Sequence, residues 1–152
     1  MNVTMYQCVQ KLLVVDEQSS RVLLCQRRGE ADLDGIFTLI GGKLEHGDED
    51  LVAGLRREKD EEVGAAVRLS VLTTYATFAE FTKADGSKQI LPHYYAVYRG
   101  GDIEISEEYA SFQWVAVDEL NGFGPIVPNI PMIADRLIRL RRVATDDDFI
   151  EM

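Results

Sequence analysis

Positive charge is scarce in this chain. Against 26 Asp and Glu it has only 16 Lys and Arg, a formal charge of −10 at pH 7. A protein that grips a nucleic-acid backbone needs clustered Lys and Arg, so a nucleic-acid polymer is not an expected partner. An anionic ligand would need a bound metal or a few locally placed basic residues. Histidine is limited to His46 and His93, which excludes a multi-histidine metal site. The two cysteines, Cys8 and Cys25, lie in apolar, strand-like runs with no Cys or His at metal-ligand spacing. They are expected to be buried, reduced thiols in a reducing, cytoplasmic setting. No run is long enough to cross a bilayer, and residues 1–10 lack the charged start and apolar stretch of a signal peptide, so no membrane partner is expected. There is no Gly-x-Ser-x-Gly elbow for serine nucleophile chemistry. Gly41-Gly42-Lys43 is not a phosphate-binding P-loop, because Phe37 and Leu44 stand where that loop needs Gly and Ser or Thr.

What is present is a pattern of strands and two helices. At 152 residues the chain fits one domain able to bury roughly two-thirds of its unfolded surface. Residues 5–15 and 21–25 are β-rich and flank a polar loop, which predicts an antiparallel pair. A loop over 28–35 and a short apolar run over 36–40 follow. Residues 50–63 form the best helix, with Asp50 as N-cap and Gly64 where helices stop. Residues 67–78 and 90–98 are rich in β-branched and aromatic side chains around Asp85-Gly86, a hairpin signal. A third β-rich run covers 112–117. An amphipathic helix from Ile130 to about Val143 precedes a short acidic tail from about 144. The expected class is α+β with a mixed sheet and two helices.

The helix over 50–63 carries the chemistry. At 100° per residue Leu51, Gly54, Leu55, Glu58, Glu61 and Glu62 share an arc about 120° wide, apolar in its first half and acidic in its second. A solvated acidic face would lie opposite the apolar stripe; these carboxylates continue it and are expected to face inward. Like charges at i,i+4 cost about 0.2–0.5 kcal/mol per pair, and desolvation adds to that. A hard divalent cation answers the problem, since Mg²⁺ takes oxygen ligands and bridges one or two carboxylates to phosphates. Arg57, beside Glu58 and four residues before Glu61, reads as a helix ion pair or as an orienting group in the site.

Gly41-Gly42-Lys43-Leu44-Glu45, then Gly47-Asp48-Glu49, then Arg57-Glu58-Lys59-Asp60-Glu61-Glu62-Val63-Gly64 resembles the Nudix box, Gly-Gly followed by Glu and ending Arg-Glu-x-x-Glu-Glu-x-Gly. Residues 22–28 resemble the strand and basic pair that precede the box, and residues 112–120 the strand and helix start that follow it. The resemblance implies a Nudix fold, a mixed β-sheet sandwiched between helices (α/β/α). It implies a hydrolase of nucleoside di- or triphosphates or related nucleotide derivatives, using Mg²⁺ or Mn²⁺, with water attacking phosphorus; the alternatives are a catalytically inactive Nudix-fold module that binds a nucleotide and a hydrolase of ADP-ribose or dinucleoside polyphosphates. It assigns Glu58, Glu61, Glu62 and the Gly41 carbonyl as metal ligands, with Glu58 as general base. Glu108, or its neighbour Glu107, stands where MutT-like members place another metal-binding or basic carboxylate. Glu49 would pair with Arg57 to hold the loop on the helix, with Gly42 and Gly64 in support. Taking Glu49 leaves one extra residue after Gly42; taking Asp48 moves that residue to before Arg57, and Glu49 is preferred because it preserves the helix register from Asp50. Lys59 departs from a usually apolar position, and Phe37 and Ile40 stand where Trp and Pro are common.

Arg27, Arg28 and Lys43 are candidate phosphate contacts or surface charges. His46 is a loop residue that touches substrate or solvent. Asn129, in a segment similar to the Asn-x-Pro of MutT-type triphosphatases, either reads a nucleobase edge or caps the last helix. The region around Asp85-Gly86 and Glu107-Glu108 is also similar to bacterial pyrimidine-preferring deoxynucleoside triphosphatases. Triphosphate is preferred over dinucleotide or ADP-ribose, purine against pyrimidine stays open, and the expected state is a monomer or a homodimer.

Overall fold

A computed structural model describes residues 2–30 and 33–152. Its spine is a pair of long parallel strands, β1 (Tyr6–Asp16) and β7 (Lys88–Gly100), in register from Tyr6 opposite Lys88 to Val15 opposite Val97. Each is long enough for its outer edge to serve two partners. β1 takes β2 (Arg21–Arg27) where Val15 faces Val22, and β4 (Ile40–Lys43) where Val9 to Leu12 face Lys43 to Ile40. β7 takes β6 (Thr77–Thr82) along its first half and β5 (Arg68–Leu72) along its second. β3 (Phe37–Thr38) and β8 (Tyr109–Ala116) pair with β2, and β9 (Phe149–Glu151) pairs with β5, giving a nine-stranded mixed sheet among the described residues.

Period-2 alternation splits the strands' side chains between two cores. Leu13, Val15, Val22 and Leu24 face one layer, where α2 (Ile130–Val143) contributes Ile130, Ile133, Ala134 and Leu137. Leu12, Val14, Leu23 and Cys25 face the other, where α1 (Leu51–Val63) contributes Leu55 and Val63. Each fully buried Leu or Val contributes about 1.5–3 kcal/mol. The expected sandwich of helices around a mixed sheet is what forms.

α1 begins and ends where its punctuation predicts. Asp50 Oδ1 accepts from the Ala53 N–H at 2.8 Å, and Gly64, at φ 97°, donates its N–H to the Asp60 carbonyl. Lys59 is buried, and its ammonium reaches the Val67 carbonyl at 2.8 Å and Asp60 at 2.5 Å, so its stem fills the usually apolar position while its charge stays satisfied.

Two expectations are corrected and one is extended. The run over 67–78 is two strands, since the chain leaves β5 after Leu72 and returns to the other half of β7 as β6. The acidic tail is structured: Asp148 accepts from the Thr145 N–H, and β9 pairs Ile150 opposite Val71 on the open edge of β5. Cys25 is buried, its thiol pushed up to about 12 by burial, but Cys8 is only half-buried. Among the described residues no helix is long and apolar enough to cross a membrane.

Candidate active site

β4 and α1 meet through two glycines. Gly41 stands opposite Lys11, with φ 138°, and its N–H donates to Glu62 Oε2 at 2.9 Å. Gly42 stands opposite Gln10, and a Cβ there would overlap all three atoms of the Glu58 carboxylate. The carboxylates of α1 therefore rest on bare backbone at the end of the strand.

Glu58 and Glu62 are 9% and 5% exposed, as their place on the inward arc predicts. Glu61 departs from that expectation, with its side chain 58% exposed. The buried arc of α1 runs through Gly54, Glu58, Glu62, Leu55, Lys59 and Val63. Glu61 lies about 60° from Glu58 on the side away from Lys59, toward Arg57, at the mouth of the site.

Arg57 ties loop to helix. Its Nε and Nη2 donate to the two oxygens of Asp48 at 2.7 and 2.8 Å, and Nη2 also reaches the Lys43 carbonyl at 3.0 Å. Its Nη1 reaches Glu58 Oε1 at 2.9 Å and Glu61 Oε2 at 3.2 Å. The expected partner, Glu49, is corrected to Asp48, because the loop closes on itself first: Asp48 N–H donates to the Glu45 carbonyl and Asp48 Oδ2 accepts from the Glu45 N–H. That turn aims Asp48 at Arg57 and places the extra residue between Asp48 and the helix. The bidentate pair holds the Asp48 carboxyl down at about 2.

Both buried carboxylates are raised by burial, against different opposing groups. Burial raises the proton affinity of Glu58, opposed by the Arg57 guanidinium. Burial pushes Glu62 up to about 7, opposed by hydrogen bonds from Tyr109 and Gly41 and by the charge of Lys11.

The segment before β8 closes another side. The Arg28 guanidinium donates to the Glu107 carbonyl at 3.2 and 2.9 Å, and the Arg28 N–H to the Glu108 carbonyl. Arg27 pairs with Glu30 at 3.2 Å and lies 4.0 Å from Glu108, whose side chain is 65% exposed. So the structure gathers Arg27, Arg28, Glu107 and Glu108 at one end of β2, with Arg28 already engaged by backbone. Lys43 lines an open groove of about 530 Å³ with Tyr6, Lys83 and Lys88, while His46 is exposed. Asn129 is the N-cap residue of α2 in the opposite layer, its carbonyl accepting from the Ile133 N–H at 3.0 Å, while its side-chain amide makes no capping hydrogen bond.

Sequence reasoning missed two residues. Lys11 is half-buried, opposite Gly41 on one side and His93 on the other, and its charge acts on Glu62 and Glu58. It is the one charged side chain inside β1 before its last residue, a signal that was there to read. Tyr109, 2% exposed, donates its hydroxyl to Glu62 Oε2 at 2.7 Å, and nothing in its local sequence marks it.

The family model for the NUDIX domain matches residues 8–136. The chain belongs to the Nudix hydrolase family. The nucleoside triphosphatase NudI of Escherichia coli O81 (strain ED1a) is 34% identical over 110 residues, 64% of this chain and 74% of that protein. The MutT protein from Methanosarcina mazei Go1 shares the fold at TM-score 0.72 and 22% identity, over 93% of this chain and 99% of that one. The NUDIX domain of Shewanella oneidensis NrtR, solved in complex with ADP ribose, shares it at TM-score 0.64 and 18% identity, over 95% and 91%. This Nudix protein is thus an enzyme acting on phosphoric anhydride bonds in nucleotides or their derivatives.

Nudix hydrolases use a divalent metal, and the residues present fit one. The side-chain ligand atoms that Glu58, Glu61 and Glu62 offer are all carboxylate oxygens, which suits a hard cation, and Glu62 is a desolvated carboxylate. Among the described residues no three acidic, His or Cys side chains converge into a cage. Mg²⁺ does not ask for one, since it keeps waters and fills its shell with substrate oxygens.

His93 supplies a stability test independent of that chemistry. Buried beside Lys11, with Nδ1 2.8 Å from the Leu91 carbonyl, it is held down to about 4 by desolvation against an ordinary 6.5. As pH falls from 6.5 to 4 the unfolded chain takes up this proton before the folded one, so the folded state loses up to about 3 kcal/mol. Glu62, raised to about 7, has the opposite sign and stabilises the metal-free fold as pH falls from 7 to 4.5. Glu58, also raised by burial, adds to the Glu62 contribution, and urea unfolding in EDTA between pH 7 and 4.5 compares the wild type with a variant that lacks the opposing imidazole. In His93→Asn stability should rise as pH falls; parallel curves would refute the assignment.

Proposed function

We propose that this chain is a Mg²⁺-dependent nucleoside triphosphatase of the cytoplasm, built as one domain, with Mn²⁺ able to replace Mg²⁺. The observation that carries this is the pair of buried carboxylates, Glu58 and Glu62, laid against Gly42 and Gly41 and braced by Arg57. The 34% identity to a nucleoside triphosphatase supports triphosphate over other nucleotide derivatives.

In this reading Glu58, Glu61, Glu62, the Gly41 carbonyl and Glu108 hold the metal, which when bound offsets charge on the diphosphate bridge. Glu58 is the general base: its burial raises its proton affinity, and Arg57 fixes one of its oxygens. Glu58 takes a proton from a water as that water's oxygen bonds to phosphorus and the anhydride P–O bond breaks, the leaving phosphate or diphosphate carrying the electron pair. Glu108, exposed and shared with Arg27, is the second choice. Gly64 ends the helix so that Glu61 and Glu62 sit in its last turn. Arg27, Lys43 and Lys11 supply positive charge for the phosphates in a chain otherwise strongly acidic, Arg28 braces the Glu107 carbonyl, and Asn129, whose side chain makes no capping hydrogen bond, offers its amide to the base.

The test is a panel of canonical and oxidised nucleoside triphosphates, dinucleoside polyphosphates, ADP-ribose and nucleotide sugars, with Mg²⁺ or with EDTA, scored for phosphate and diphosphate release. A triphosphate is expected to give the highest kcat/KM, at least about tenfold above ADP-ribose and lost in EDTA. Preference for ADP-ribose or a dinucleotide would overturn the substrate assignment.

A further inference from the structure

Glu62 presents an asymmetric carboxylate. Its Oε2 accepts two hydrogen bonds, from the Gly41 N–H at 2.9 Å and from the Tyr109 hydroxyl at 2.7 Å, while Oε1 accepts none among the described residues. One oxygen is pinned and the other is left for a ligand. Both donors are rigidly held: Gly41 is locked into the β1–β4 ladder, and Tyr109 is packed in the α1-side core with its ring 6.0 Å from the Arg27 guanidinium.

Tyr109 also joins two parts of the site that are far apart in sequence. Its N–H donates to the Ser106 carbonyl at 3.1 Å, and the Ser106 N–H donates to the carbonyl of Glu62 itself at 3.1 Å. The segment carrying Glu107 and Glu108 is therefore fastened to the last turn of α1 by two backbone bonds, Glu104 N–H to the Val63 carbonyl and Ser106 N–H to the Glu62 carbonyl, and by the Tyr109 side-chain bond to Glu62. A core tyrosine needs a hydroxyl partner, but water or a backbone carbonyl would serve. This one takes the carboxylate in the site.

We propose that Tyr109 is a positioning residue for divalent-metal binding, holding Glu62 Oε2 so that Oε1 faces the ion and keeping the Glu107–Glu108 segment registered against α1. This rests on the reading of Glu62 as a metal ligand. A hydrogen bond from behind fixes the orientation of a ligating carboxylate, and its loss costs about 10–100-fold in metal affinity.

The test uses Tyr109→Phe, which keeps the ring and removes only the hydroxyl, with Glu62→Gln and the double variant, each checked for fold by circular dichroism and thermal unfolding in EDTA. Mn²⁺ affinity is measured by electron paramagnetic resonance titration of the protein alone, without substrate. The Phe variant is expected to fold as the wild type does and to bind Mn²⁺ about tenfold more weakly. Turnover should be partly restored by raising the metal concentration, and the effect should vanish once the Glu62→Gln change is already present. Mn²⁺ affinity within twofold of wild type in the Phe variant would overturn the proposal while leaving Glu62 as a ligand. Equal weakening by Tyr109→Phe in the wild-type and Glu62→Gln backgrounds would overturn it too, showing action other than through Glu62. Should the Phe variant fail to fold, Tyr109→Met supplies the same readout, and the same two outcomes decide. Absence of Mn²⁺ binding by the wild type would overturn the ligand reading and this inference with it, an outcome recognised from the wild-type titration alone.

Discussion

Glu58→Gln is expected to lower kcat by about two to four orders of magnitude, the range a positioned general base supplies, with the fold retained. The substitution is nearly isosteric. Arg57 Nη1 can still donate to the side-chain oxygen, and Gly42 still leaves room beneath it. What is lost is the proton acceptor and the charge. Single-turnover kinetics at saturating Mg²⁺ check the claim, because at saturation a mere loss of metal affinity is masked while loss of the base is not. Glu108→Gln, read the same way, is expected to be milder, since that side chain is 65% exposed and lies 4.0 Å from Arg27. If Glu108→Gln produced the larger loss under saturating metal, the base would be Glu108 and Glu58 a ligand only.

Gly41→Ala is expected to be strongly damaging to both fold and activity. Gly41 has φ 138°, a region that L side chains rarely adopt, and an added Cβ would overlap the Gln10 carbonyl oxygen and lie 2.8 Å from the Lys11 Cα. The clash is with backbone of the central strand, so no side chain can swing aside to relieve it. Either β4 separates from β1, removing the N–H that holds Glu62, or the ladder distorts from Val9 to Leu12. Strain at such a position costs about 1–3 kcal/mol before the clash is counted. Chemical denaturation should show a loss of at least that size, accompanied by loss of turnover. Gly47→Ala, where a Cβ meets nothing within 4 Å, serves as the control and should be near neutral. Wild-type stability in Gly41→Ala would mean that β4 does not pair with β1 as described.

The two variants probe features that differ in how plainly they could be read beforehand. Glu58 and Glu62 follow from helical period alone: once 50–63 is a helix, their angle relative to Leu55 puts them inward, and the cap residues Asp50 and Gly64 bound it. Glu61 shows where that argument thins, because an arc drawn from apolar residues has no sharp edge, and packing against β4 placed the boundary between Glu58 and Glu61. The choice of Asp48 over Glu49 depended on a loop closing through its own backbone before it met Arg57, which neither spacing nor charge encodes.

Local pattern by itself determined the elements, the acidic helix and its neighbouring Gly-Gly, because period, caps and turn residues act over a few positions. Only the tertiary structure decided that one long run over 67–78 is two strands, that the acidic tail becomes β9, and that the Lys11 charge and the Tyr109 hydroxyl act on Glu62. Those outcomes depend on which strand edges remain open and which side chains a distant segment delivers. Tyr109 and Glu62 are 47 positions apart in the chain, and their 2.7 Å hydrogen bond exists because β8 pairs with β2.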